Sequence, residues 1–248
     1  MITQENLKNY HSEGYCILKN VIPEEYLNIL DKSCEICIED ADKKMRGNHS
    51  NINDITHPGK RYFIANKHKE PKFKKMKEFL FSQLMAQITS ELIGDNVYLF
   101  NEQFVVKAAE KGMKFAWHQD SGYIGYKHTP YLTCWIPMID MTEENGTVYV
   151  LPFSQAGTKE MMPHTIEEGS NDKVGYNGNQ EGIPVIVNRG DLVCFSSVTF
   201  HRSSPNISEI MRPAYIAQYS PDMIMNELGD KIRHLADPLV LNGEMIQT

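Results

Sequence analysis

Apolar residues recur at helical spacing in the first third of the chain and fall into short runs after it. Thr3 can cap a short helix whose first turn holds Glu5 and Asn6. Gly14-Tyr15-Cys16-Ile17-Leu18 reads as a short buried strand. Pro23-Glu24-Glu25 opens a second helix, with Leu27, Leu30, Cys34, Cys37 and Ile38 as its apolar stripe. A third helix is predicted from Phe73 to Leu92, ended by Gly94. From Val97 onward the runs are rich in β-branched and aromatic residues. Strands are predicted at Val97–Lys107, Tyr131–Met138, Thr147–Leu151, Pro184–Val187, Leu192–Ser196 and Ala214–Tyr219. Asn145-Gly146, between two such runs, signals a hairpin. Many short strands with turn signals suggest a sandwich, jelly roll or barrel. The whole reads as one α+β domain over 1–248, helical to about residue 95 and with a β core from about 96 to 222. Gln155 to Gly182 fits no element and carries five glycines, so it is expected to be a lid, or disordered.

Composition narrows the function classes. The 248 residues carry a net charge of −7, and no basic stripe stands out. A nucleic-acid partner is therefore not expected. The densest basic stretch, Lys67 to Lys77, is broken by glutamates and reads as a solvated face or a helix start. There is no apolar run long enough to span a bilayer, and the N-terminus lacks the features of a signal peptide, so cytoplasmic residence is the default expectation. Five scattered cysteines do not suggest a disulfide framework. Cys34 and Cys37 share one helix face and read as small core residues.

The chemistry centres on Trp117-His118-Gln119-Asp120. On a strand, alternate residues point the same way, so His118 and Asp120 could meet one metal ion. This motif alone is weak. His11-Ser12-Glu13 and His68-Lys69-Glu70 have the same form without a β framework around them. What raises the first is its company. His201 follows an apolar strand 81 residues after Asp120. Two histidines and one carboxylate on a β framework form the facial triad of non-haem iron oxygenases, with three positions left open. Arg212, eleven residues after His201, can grip a carboxylate in a two-point fork.

With these pieces in order, the chain resembles the phytanoyl-CoA dioxygenase family of iron(II)/2-oxoglutarate enzymes. The resemblance runs from about residue 5 to 220, through Gly14-Tyr15 with the following helix, the His118/Asp120 motif, Asn145-Gly146 leading to Val150-Leu151-Pro152, Gly190-Asp191, His201-Arg202-Ser203-Ser204-Pro205-Asn206 and Arg212-Pro213-Ala214-Tyr215 ending in Gln218-Tyr219-Ser220. It implies a double-stranded β-helix (a cupin-like jelly roll) with the N-terminal helices packed on one sheet. It implies iron(II) on His118, Asp120 and His201, 2-oxoglutarate as co-substrate and O2 as oxidant. Arg212 and Ser203 would bind the far carboxylate. Thr133 and Trp135 would line the co-substrate pocket, with Phe115 and Lys107 as further candidates. The implied reaction is oxidation of an unactivated C–H bond of a small molecule, releasing succinate and CO2. Asp120 favours hydroxylation, or a desaturating or ring-forming variant, because related halogenases lack this carboxylate. Tyr123, Tyr126, His128 and Tyr176 are the candidates for substrate contact. The substrate range is broad: an amino acid, a lipid acid or a natural-product intermediate. Where the family usually runs Gly-Ser-His after Leu151-Pro152, this chain has Phe153-Ser154-Gln155, so the rim of the substrate pocket departs from the pattern. Two other readings stay open: a cupin-type metal enzyme that does not use 2-oxoglutarate, and a non-catalytic binding protein on the same fold. The oligomeric state is not legible.

Overall fold

The computed structural model describes residues 2–46, 61–110, 113–168 and 172–246. In chain order the elements are α1 (Gln4–Glu13), β1 (Tyr15–Leu18), α2 (Glu24–Arg46), β2 (Arg61–Ala65), α3 (Lys74–Leu80), α4 (Gln83–Ile93) and β3 (Val97–Lys107). Then come β4 (Phe115–His118), β5 (Leu132–Pro137), β6 (Val148–Leu151), α5 (Phe153–Ala156), β7 (Thr165–Ile166), β8 (Lys173–Val174) and β9 (Ile183–Pro184). The chain closes with β10 (Leu192–Ser196), β11 (Phe200–Ser203), β12 (Arg212–Ser220), β13 (Asp237–Leu241) and β14 (Glu244–Met245).

Two sheets form the jelly roll. The larger has the order β1-β10-β5-β12-β3-β13-β14, with β2 paired beside β13 on the outer edge of β3. The smaller has the order β4-β11-β6-β9. The N-terminal helices cover one face of the larger sheet. Leu27, Leu30, Cys34 and Cys37 of α2 and Met76 and Phe79 of α3 share a core with Leu99, Phe104 and Val106 of β3. The other face turns toward the smaller sheet, and Trp135, Val150, Val193, Phe195 and Ala214 pack between the two. The apolar stripe read on α2 is thus its sheet-facing side, and the cysteines are free and buried.

Thr3 caps α1 in a capping box with Asn6. The single helix expected from Phe73 to Leu92 is instead two. Phe81 ends α3, and the Ser82 hydroxyl accepts from Met85 N to start α4. A serine that can cap the next turn makes such a break inexpensive. The Asn145-Gly146 turn also differs from expectation. It closes with a Gly146 N–H bond to the Glu143 carbonyl, yet β5 and β6 do not pair with each other. The turn carries the chain from one sheet to the other. Near β3, the register with β12 slips between Gln218 and Tyr219, so that Phe100 has no cross-strand partner. A bulge of this kind re-aims a side chain. Phe100 joins the cavity wall although Leu99 and Phe104 face the helices.

Candidate active site

Three elements converge on one point between the sheets. His118 ends β4 and lies directly opposite His201 of β11 in the register of the smaller sheet. Asp120 is not on the strand. It opens a single 3-10 turn, Asp120–Tyr123, that follows it. The turn, not strand alternation, brings the carboxylate back beside the imidazoles. One ligand atom from each of the three residues lies within 4.8 Å of the others, and among the described residues this is the metal-competent cluster. His11 and His68 take no part in it. His68 is buried against Glu102, 3.1 Å from its carboxylate.

The surroundings fix which atoms face the centre. Nδ1 of His118 lies 2.8 Å from the Ala116 carbonyl and Nδ1 of His201 lies 3.1 Å from the Thr199 carbonyl. A carbonyl only accepts, so each Nδ1 carries the proton and each Nε2 turns a lone pair inward. Oδ2 of Asp120 accepts from the Thr133 hydroxyl at 2.6 Å and the Gln218 amide at 2.9 Å. Oδ1 is left facing the imidazoles, 3.4 Å from His201 Nε2 and 3.9 Å from His118 Nε2. Burial, then the neighbouring His201, pushes the His118 pKa down to about 3. Burial raises Asp120, but His201 and the hydrogen bonds to its carboxylate outweigh it and hold the pKa near about 2. The set offers two imidazole Nε2 atoms and one carboxylate, a donor set that suits iron(II).

Gln218 was missed by sequence reasoning. It sits on β12 beside Thr133 of β5, and its carbonyl accepts from Asn101 of β3 at 3.0 Å. Removing the amide frees the carboxylate to rotate. Gln218→Ala is expected to weaken Mn2+ or Co2+ binding by about 10–100-fold, the usual effect of losing a group that orients a ligand. Titration of the metal-free protein checks it, and unchanged affinity would show that Thr133 suffices alone. Gln119, between the two ligands, is a second such residue. Its buried amide bonds the Glu160 and Val198 carbonyls and accepts from Met162 N, tying the metal motif to its surroundings.

A cavity of about 400 Å³ opens beside the triad. At one end Arg212 is almost wholly buried, yet its Nε and Nη1 have no hydrogen-bond partner. Only Nη2 is engaged, on the Gly146 carbonyl at 3.2 Å. Burial lowers the Arg212 pKa to about 10, which leaves it charged at neutral pH. A buried guanidinium with two unused N–H groups can grip a carboxylate in a two-point fork. Ser203 lines the same end, its Oγ accepting from Lys107 Nζ at 2.7 Å, so its own proton is free to donate. Lys107 also bonds the Ser204 and Gly146 carbonyls. Burial first, then Arg212 and Arg61, lowers its pKa well below the ordinary value. Gly146 holds this corner through its carbonyl. It has φ +78°, and a Cβ there would sit 2.6 Å from the Ser204 carbonyl oxygen.

The expected site residues sort as follows. Trp135, Phe115, Ser203 and Arg212 line the cavity, with Tyr123 among the substrate candidates. Thr133 does not; its hydroxyl is spent on Asp120. Lys107 stands behind Ser203 and does not reach the cavity. Tyr126 bonds the Met225 carbonyl, His128 stacks on Tyr131, and Tyr176 packs on Trp117 and Phe200, so none of these three lines it. The reason for Tyr176 is where its segment lies. The 155–182 stretch is not one structureless loop: it holds the short strands β7 and β8, and residues 169–171 lie outside the described residues. It packs along β4 through Gly175 N on the Trp117 carbonyl and His164 on Gln119 N, and none of its described residues lines the cavity. Phe63 and Ala65 on β2, Asn66 just after it, and His234 near the C-terminus border it instead.

The family model for phytanoyl-CoA dioxygenase (PhyH) matches residues 10–214. The chain belongs to this family. It is a 2-oxoglutarate-dependent non-haem iron dioxygenase on the jelly-roll fold. Among relatives, it is 22% identical to peroxisomal phytanoyl-CoA dioxygenase of Homo sapiens over 89% of this chain and 69% of that one. It is 24% identical to a methylphosphonate hydroxylase of Gimesia maris over 99% and 93%. Its fold is similar to EctD from S. alaskensis, solved with 2-oxoglutarate and 5-hydroxyectoine: TM-score 0.71, 17% identity, covering 98% of this chain and 87% of that one. No helix among the described residues is long and apolar enough to cross a membrane.

Proposed function

We propose that this dioxygenase hydroxylates an unactivated C–H bond of a small molecule, with iron(II) on His118, Asp120 and His201 and the far carboxylate of 2-oxoglutarate on Arg212 and Ser203. The observation that carries the reading is the pairing in one cavity of a two-imidazole, one-carboxylate cluster with a buried guanidinium whose Nε and Nη1 are unsatisfied. A cupin-type enzyme without 2-oxoglutarate, or a binding protein, gives that guanidinium nothing to hold.

The protein's own residues position and exclude. The carbonyls of Ala116 and Thr199 set the imidazole tautomers, and Thr133 and Gln218 aim Asp120. Lys107 holds Ser203 so that its hydroxyl points at the co-substrate end. Trp135, whose ring centroid lies 6.0 Å from the Arg212 guanidinium, and Val148, opposite Ser203, wall that end with apolar surface and keep water from it. When bound, iron and 2-oxoglutarate supply the O2 activation that ends in succinate and CO2.

Anaerobic addition of iron(II) and 2-oxoglutarate should give a weak visible charge-transfer band. Its absence would remove the reading. Arg212→Lys keeps the charge but loses the fork. It is expected to raise KM for 2-oxoglutarate by roughly ten- to a hundredfold, the cost of about 1.5–3 kcal/mol for a hydrogen bond to a charged group. An unchanged KM would move the co-substrate elsewhere.

A further inference from the structure

The cavity continues past the metal cluster, and its far end has a different chemistry. Arg212 lies opposite Lys107 in the β12–β3 register, whereas Gln103 lies opposite Ile216 and Asn101 opposite Gln218. At about 3.4 Å per residue, Gln103 and Asn101 are roughly 14 and 20 Å along β3 from the co-substrate corner. Their side chains face the cavity, and so does Asn66, next to the end of β2. Phe63, Phe100 and Tyr131 supply aromatic walls among them.

Three features set these carboxamides apart from ordinary surface amides. No hydrogen bond joins the half-buried side chain of Gln103 to another described residue, Asn66 stands exposed at the rim, and Asn101 donates to Gln218 and so reaches Asp120 through one amide. Asn66 is held at φ 56° and ψ 38°, a left-handed conformation that costs a residue with a Cβ some energy and that clusters at ligand sites. Within the strand, Glu102 is buried on the helix side against His68 and Tyr215, whereas Asn101 and Gln103 put polar groups on the cavity side between apolar residues at either end.

No lysine, arginine, aspartate or glutamate among the described residues lines this end. Apart from the metal cluster and His234, the ionisable basic or acidic lining residues are Arg212 and Arg202. The Arg202 guanidinium lies 3.8 Å from the Tyr149 ring centroid and bonds Ser204 and the Glu181 carbonyl, so it is engaged on the smaller sheet. Burial, then Arg233, lowers the pKa of His234 at the mouth and keeps it neutral. A substrate anion or ammonium would lose its hydration here and find no counter-charge. A carboxamide both donates and accepts, which matches neutral hydroxyl, carbonyl or amide groups.

We infer that the far end of the cavity is a substrate subsite for an uncharged molecule, one that carries hydroxyl, carbonyl or amide groups on an apolar or aromatic skeleton, held by Asn66, Asn101 and Gln103. This rests on the reading that 2-oxoglutarate fills the Arg212 end. It separates the substrate from an amino acid, a lipid acid or a phosphonate. Size agrees: about 400 Å³ is near the small end of the roughly 300–1,000 Å³ typical of ligand pockets, and two molecules must share it.

The probes are benzamide and benzoate, equal in shape and different in charge, added to anaerobic enzyme with iron(II) and saturating 2-oxoglutarate. The charge-transfer band before any probe tests the co-substrate reading by itself. Benzamide is expected to shift the band saturably at millimolar concentration, and benzoate to leave it where it is. Gln103→Leu, checked by its melting temperature, is expected to weaken the benzamide response about two- to tenfold, the loss of one neutral hydrogen bond. A band that forms but ignores benzamide, responds as strongly to benzoate, or responds to benzamide unchanged in Gln103→Leu overturns the subsite.

Discussion

Asp120→Ala is expected to abolish succinate formation, with a fall of more than about a hundredfold, beyond the 10–100-fold typical of losing a group that merely orients a ligand. Asp120 offers the one negative charge in the cluster, with Oδ1 turned to the two imidazoles and Oδ2 fixed by Thr133 and Gln218. Alanine removes the charge and the anchor together, and leaves a site of two neutral donors. The loss should appear in two independent measurements: Mn2+ affinity of the metal-free protein and succinate release with iron supplied in excess. His118 and His201 stay in place on paired strands, so the variant is expected to fold. Turnover within a few-fold of the parent would mean that the metal, and with it the proposed chemistry, lies elsewhere.

The largest expected effect on stability lies behind the cavity. Arg61 is fully buried at the start of β2 and makes a two-point bond to Asp172, Nη1 to Oδ2 at 2.8 Å and Nη2 to Oδ1 at 3.1 Å. Asp172 precedes β8, so this pair fastens the 155–182 stretch to the larger sheet. Breaking a buried ion pair from one side costs about 3–5 kcal/mol, because the remaining charge has given up its water. At about 2–4 °C per kcal/mol for a chain of this size, Asp172→Ala should lower the melting temperature by roughly 6–20 °C. Asp172→Asn, which keeps an acceptor, should lose less. The Arg61 guanidinium also sits 4.9 Å from the centroid of Phe115, a cavity wall. Weaker 2-oxoglutarate binding should therefore accompany the loss. A melting temperature within about 2 °C of the parent would show that the segment is held by its backbone bonds to β4 and not by the pair.

The sequence by itself determined the fold class and brought out the candidate metal set. Helical periodicity followed by short apolar runs leaves few architectures besides helices on a β core, and the α2 stripe did face the larger sheet. His118, Asp120, His201 and Arg212 were legible because chemistry of this kind demands those residue types in that order, whatever the backbone between them does. Trp135 and Ser203, also singled out from the sequence, line the same cavity. Asn101 and Gln103 left a signal, three polar residues in the middle of an apolar strand, that could have marked them as facing a ligand.

Only the tertiary structure decided the rest, because it depends on which elements meet. Asp120 reaches the imidazoles by a turn that begins where the strand stops, which alternation does not foresee. Thr133 serves Asp120 because β5 places it beside Gln218, 85 residues away in sequence and 3.1 Å in space. The glycine-rich stretch reads as a lid in sequence, but Trp117, Gln119 and Arg61 hold it against β4 and β2, and Tyr176 does not line the cavity. Asn66, Gln218 and His234 come from three distant stretches, and no local pattern ties them to one cavity. Local propensity and ligand chemistry are written in short windows of sequence. The shape of a pocket is set by long-range pairing and packing, and these exist only once the chain has folded.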